Sequence, residues 1–68
     1  MARNDEAKIM VNGECWGSYG RGSDESVSDY LDNVKETEAY ITREAYHELG
    51  GRVSVSVAWS GNDYSAEY

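Results

Sequence analysis

Arg52-Val53-Ser54-Val55-Ser56-Val57-Ala58-Trp59 decides the fold. Successive side chains of a strand point to opposite faces, so Val53, Val55, Val57 and Trp59 share one side and Arg52, Ser54, Ser56 and Ala58 the other. Period two with β-branched residues on one face predicts a half-buried antiparallel strand over 52–59. Such a strand needs strand partners and an apolar cover, and the upstream sequence supplies both.

The strand partners come from a hairpin. Lys8-Ile9-Met10-Val11 is a short apolar run, followed by Asn12-Gly13, two residues that tolerate positive φ and mark a tight hairpin turn. Glu14 to Tyr19 reads as the return strand, and the hairpin is expected over 7–20. Its alternation places Cys15, Gly17 and Tyr19 on one side and Trp16 on the other. Either Trp16 or Tyr19 is expected to pack with Trp59.

The cover is a helix. Ser23 or Ser26 can cap it, Asp24, Glu25 and Asp29 suit its positive N-terminal end, and Gly50-Gly51 stops it. At about 100° per residue, Val27, Leu31, Val34, Ile41, Ala45 and Leu49 fall within roughly 40° of one line, which makes a core-facing stripe over 27–49. Glu38 interrupts that stripe. The spacing favours one long helix, bent at most, over a break into two near 36–38. Ser60 to Asp63 is a turn, and 64–68 adds either a short fourth strand or a loose tail.

The chain therefore reads as a single α+β domain over 1–68, with 1–6 and 65–68 expected to fray. It has a small antiparallel sheet of three or four strands, in the order β-β-α-β with a further β as an option, and one long helix on one face. A domain of 68 residues buries a small core and commonly needs a staple. A single cysteine, Cys15, excludes an internal disulfide, and with the single His47 it makes no zinc site of usual spacing. Close packing or a partner chain remains, so a homodimer is an open expectation. The free thiol fits a reducing compartment. No run approaches the roughly 18 apolar residues of a membrane span, and 1–8 has no apolar signal-peptide core. The expected setting is cytoplasmic.

Charge speaks most directly to function. Thirteen Asp and Glu stand against six Lys and Arg, a formal charge of −7. That field opposes direct binding to nucleic acid or an anionic membrane and draws in a basic partner. Glu25, Asp29, Asp32 and Glu36 cluster opposite the core stripe, stacked about 5–6 Å apart. From Asp24 to Glu48, eight acids face only Lys35 and Arg43, whereas an ordinary exposed helix mixes signs. Carboxylates at that pitch can compete for a groove lined with Lys and Arg, as closely spaced phosphates do. Tyr40 lies near this face, and Tyr30 and Tyr46 flank the core stripe. Tyrosine suits an interface, so Tyr40 and Tyr30 are the expected anchors.

Catalysis has little to stand on. Gly17 to Ser23 precedes a helix, but Asp24 and Glu25 would repel a phosphate there, and no Gly-Lys-Ser/Thr follows. His47 lies beside Glu48 and near Glu44 on one helix, without a pocket. Cys15 in a strand reads as a small apolar residue. No catalytic, cofactor-binding or metal-binding residue is expected.

In size, acidity and tyrosine content, the chain resembles the small inhibitors that phages make against host defences, among them anti-CRISPR and anti-restriction proteins, some of which mimic DNA. The resemblance is one of overall character and rests on no motif. It implies a stoichiometric blocker of a basic, nucleic-acid-binding surface, with Glu25, Asp29, Asp32, Glu36, Tyr40 and Tyr30 as contact residues. Two other readings fit the same composition. One is a homodimeric structural module pairing through a sheet edge. The other is an acidic domain from a salt-rich cytoplasm.

Overall fold

The computed structural model describes residues 5–68 and comprises β1 (Glu6–Val11), β2 (Glu14–Gly20), α1 (Val27–Leu49) and β3 (Val55–Ser60). The sheet is antiparallel throughout, in the order β2-β1-β3, with α1 on one face. This is the α+β arrangement expected from the periodicities.

The turn between β1 and β2 takes positive φ at Asn12 (51°) and Gly13 (86°), the pair of values an Asn-Gly hairpin uses. Asn12 also fastens the hairpin to the entry of β3. Its backbone N–H donates to Ser54 O at 2.9 Å, its Oδ1 accepts from Ser54 N at 2.9 Å, and its Nδ2 donates to Arg52 O at 3.2 Å. The third strand therefore starts later than the alternation suggests. Regular ladder begins at Val55, while 52–54 is held by one asparagine.

The register of the hairpin shifts between Ile9 and Met10: Ile9 pairs with Gly17 but Met10 pairs with Cys15, leaving Trp16 over as a bulge. The bulge corrects the expected faces of β2. Gly17 and Tyr19 pair with the buried Ile9 and Ala7 and look toward the helix. Cys15 pairs with Met10 and lies exposed, so it is not a packed apolar residue. Trp16 is 37% exposed, and Tyr19 joins the core against Tyr30, not against Trp59 as expected, because β1 separates β2 from β3.

α1 runs unbroken for 23 residues. Ser26 caps it, its hydroxyl accepting from Asp29 N at 3.1 Å, and Gly50 ends it at φ 69° with its N–H on Tyr46 O at 3.0 Å. Leu31, Val34, Ile41 and Ala45 close over Ala7, Ile9 and Val11. Burying each of the larger aliphatic side chains contributes about 1.5–3 kcal/mol. A helix of this length reaches about 34 Å, against about 20 Å for a six-residue strand. The C-terminal end of α1 therefore outruns its support, and Leu49, expected in the core stripe, is 42% exposed.

The last segment is neither a fourth strand nor a loose tail. Residues 64–68 form a turn, with Glu67 N and Tyr68 N both bonded to Tyr64 O. The turn lays two rings on Trp59, Tyr64 at 5.8 Å and Tyr68 at 5.3 Å between centroids, both edge-on. Tyr68 OH donates to Glu38, which accounts for a carboxylate in the middle of the core stripe. At the other end, the expected fraying through residue 6 does not extend to Asp5 and Glu6. Glu6 opens β1, and Asp5 is 5% exposed. The rest of that polar segment, 1–4, lies outside the described residues.

Candidate partner-binding face

The outward side of α1 carries Asp29, Asp32 and Glu36 at spacings of three and four residues, all exposed, with Tyr40 next along the row at 61% exposure. From Asp29 to Glu36 the row climbs about 10 Å. Among the described residues, the one ion pair is Arg21 with Asp5, so none of these three carboxylates is paired with a cation. Lys35, the nearest basic residue in sequence, turns away from them. Its ammonium sits 5.6 Å over the Tyr68 ring, an aromatic face that attracts cations. The three acids are thus held one turn apart on a rigid element with their charge uncompensated.

Two of the expected contact residues are placed elsewhere. Glu25 precedes the Ser26 cap and is not on the helix. Its carboxylate accepts from Tyr19 OH at 2.6 Å, from Asn33 Nδ2 at 2.6 Å and from Gly22 N at 3.1 Å. These donors, Tyr19 foremost, hold its pKa below the ordinary carboxylate value. A helical wheel extended back past the Ser26 cap puts Glu25 in the row, whereas it locks the loop before α1 onto the sheet.

Tyr30 is fully buried and cannot anchor a partner. Its ring meets Tyr19 at 6.0 Å, Trp59 at 6.2 Å and Tyr64 at 5.6 Å, one ring each from β2, β3 and the C-terminal turn. Burial pushes its hydroxyl pKa up to about 12. That hydroxyl finds no hydrogen-bond partner among the described residues.

Sequence reasoning missed the polar cluster that closes the end of the sheet. Asp5 accepts from Asn62 N at 3.1 Å, Tyr64 OH at 2.9 Å and Arg21 Nη1 at 3.2 Å. Arg21 Nη1 also donates to Tyr64 OH at 3.1 Å, and Arg21 Nε to Glu25 O at 2.9 Å. The partners are up to 59 residues apart in sequence, so no local pattern signals them. The one available hint was an arginine set between two glycines, where the chain needs a tether.

The groups considered for catalysis do not converge. His47, Glu44 and Glu48 are all exposed on α1, and the exposed Cys15 Sγ donates to the carbonyl of Gly17 at 3.5 Å. Among the described residues, no three His, Cys, Asp or Glu side chains stand close enough together to hold a metal ion. No described helix is long and apolar enough to cross a membrane. No protein-family model matches the chain, and neither a curated protein nor a solved structure shows significant similarity to it.

Proposed function

We propose that this chain is a stoichiometric inhibitor, of the small acidic phage-encoded kind its composition resembles. It acts in a host cytoplasm by covering a Lys- and Arg-lined surface of a nucleic-acid-binding protein. Asp29, Asp32 and Glu36 supply the charge and Tyr40 the apolar contact. The observation that supports this reading is the uncompensated acidic row, facing outward while Lys35 is engaged on Tyr68. Like charges at this spacing cost an isolated helix a few tenths of a kcal/mol per pair. Keeping them unpaired makes physical sense if a partner brings the cations. Glu25 and Tyr30 have structural roles in this reading, fastening the loop and filling the core.

The test is capture of binding proteins from bacterial lysate at low and at high salt, with the native chain and with Asp29→Lys/Asp32→Lys/Glu36→Lys. The native chain should retain nucleic-acid-binding proteins, release them as salt rises, and compete with their DNA or RNA. The triple variant, folded by circular dichroism, should retain none of them. Equal capture by both proteins would overturn the reading.

A further inference from the structure

A second surface, apart from the acidic face, is the free edge of β3. The register fixes which backbone groups point out of it. Asn12 N–H donates to Ser54 O, and Arg21 N–H donates to Asp5 O. Bonded pairs alternate along an antiparallel ladder, so Ala7 and Ile9 bond to β2, while Lys8 and Met10 bond to Ala58 and Ser56 of β3. Val55, Val57 and Trp59 therefore turn their N–H and C=O groups outward, where none finds a partner among the described residues.

Open edges are commonly guarded by a charge, a proline, a bulge or a covering segment. β2 has the Trp16 bulge and the charged Glu14. In β3, 53–60 holds no charged residue and no proline, and its register with β1 runs unshifted. The C-terminal turn lies on the Trp59 ring but makes no backbone bond to the strand. α1 lies mainly over β1 and β2. Ala7, Ile9 and Val11 are accordingly 0% exposed, whereas Val55, Val57 and Trp59 on the same face stay half-buried.

We infer that this edge pairs with the β3 edge of a second copy, antiparallel about a two-fold axis at Val57, making one continuous sheet. A two-fold contact must be self-complementary, and this stretch is. With Val57 opposite the second copy's Val57, Val55 falls opposite its Trp59, and Trp59 opposite its Val55. These are the residues whose backbone groups face outward, and each pair exchanges two N–H···O bonds. The axis is perpendicular to the sheet, so both helices stay on one face and the half-buried side chains meet there. Valine meets valine at the centre, and a valine meets an indole on either side. On the opposite face Ser56 meets the second copy's Ala58, and Ser54 its Ser60. A chain of charge −7 thus meets its copy along a stretch that carries none. With strands about 4.8 Å apart, the two β1 strands stand about 14 Å from each other. Helices offset toward β2 then clear the 8–10 Å at which helices pack. The acidic row takes no part, so the dimer neither needs nor excludes the inhibitory role.

Sedimentation velocity over a concentration series tests the inference. The native chain should dimerise. Ser56→Lys/Ala58→Lys and Ser56→Glu/Ala58→Glu, all at exposed positions, should each weaken the dimer by more than about tenfold. In either variant, position 56 faces a like charge at the second copy's position 58. Mixed in equal amounts, the two should form a heterodimer, because every lysine then faces a glutamate. A native chain that stays monomeric at about 1 mM would overturn the inference, and it is the result expected if the edge serves a strand of another protein. So would a native dimer that both double variants leave intact, as association through α1 would give. Should a charged variant fail to fold, amide exchange of the native chain decides. Exchange at Val55, Val57 and Trp59 should slow as concentration rises, and rates independent of concentration would overturn the inference.

Discussion

Tyr68 OH donates a hydrogen bond to the carboxylate of Glu38, joining the C-terminal turn to the middle of α1 across 30 positions of sequence. The same ring lies edge-on to Trp59 and beneath the Lys35 ammonium. One side chain thus links the helix, β3 and the turn. Burial, then the neighbouring Glu38, holds its hydroxyl pKa above the ordinary tyrosine value, so it stays a protonated donor at neutral pH.

Two substitutions separate the contributions of that ring. Tyr68→Phe keeps the packing and loses the hydrogen bond, at a cost of about 1 kcal/mol. Tyr68→Ala also uncovers Trp59 and should cost about 3 kcal/mol. Urea denaturation followed by Trp fluorescence measures both. Equal stability of the native chain and the Ala variant would show that the turn does not pack in solution.

How much of this was legible beforehand depends on the range of the interaction. Val55, Val57 and Trp59 announced their strand because period two is a local property, and Asn12-Gly13 announced its turn because φ preference is local as well. Val34, Ile41 and Ala45 named the buried face of α1 for the same reason. Glu38 could be recognised as out of place, but its partner could not be named. Tyr30 looked like an edge residue because it sits to one side of the stripe. It is buried because rings from three other parts of the chain converge on it. The faces of β2 were misjudged at Cys15 because a single extra residue, Trp16, resets the alternation. Of the acidic row, the three members within the helix were readable from spacing, and Glu25 was not, because its place depends on where the Ser26 cap starts the helix.

The close approach at that bulge gives a second prediction. A Cβ on Gly17 would stand 2.6 Å from Ile41 Cδ1, closer than side chains sit, while Ile41 Cγ1 is at an ordinary 3.6 Å. The obstacle is one terminal methyl of a buried side chain. Gly17→Ala should therefore destabilise by about 1–2 kcal/mol through overpacking. Ile41→Val removes the methyl and alone should cost about 1 kcal/mol. The double variant should be more stable than the sum of the two costs predicts, a coupling that chemical denaturation of the four proteins resolves. Strict additivity would mean that α1 does not approach β2 this closely.

Acid should weaken the cluster around Asp5. The N–H of Asn62, then the Tyr64 hydroxyl and the Arg21 guanidinium, hold the Asp5 carboxyl below its ordinary value of 3.8. Glu25 is lowered too, chiefly by Tyr19, and Asp63 by the backbone N–H of Ser65. A carboxyl lowered by folding binds its proton more tightly in the unfolded chain, so falling pH favours unfolding. The stability these groups confer is whole well above pH 4, drains as pH passes the ordinary carboxyl values near 4, and is gone below the lowered native ones. Asp5→Asn keeps the shape but not the charge. It should be less stable than the native chain at neutral pH, and the two melting temperatures should converge as pH falls toward 2. Thermal melts at intervals from pH 7 to pH 2 measure this. Curves that stay parallel across the whole range would show that folding does not lower the Asp5 carboxyl, and that Asn62, Tyr64 and Arg21 do not gather around it in solution.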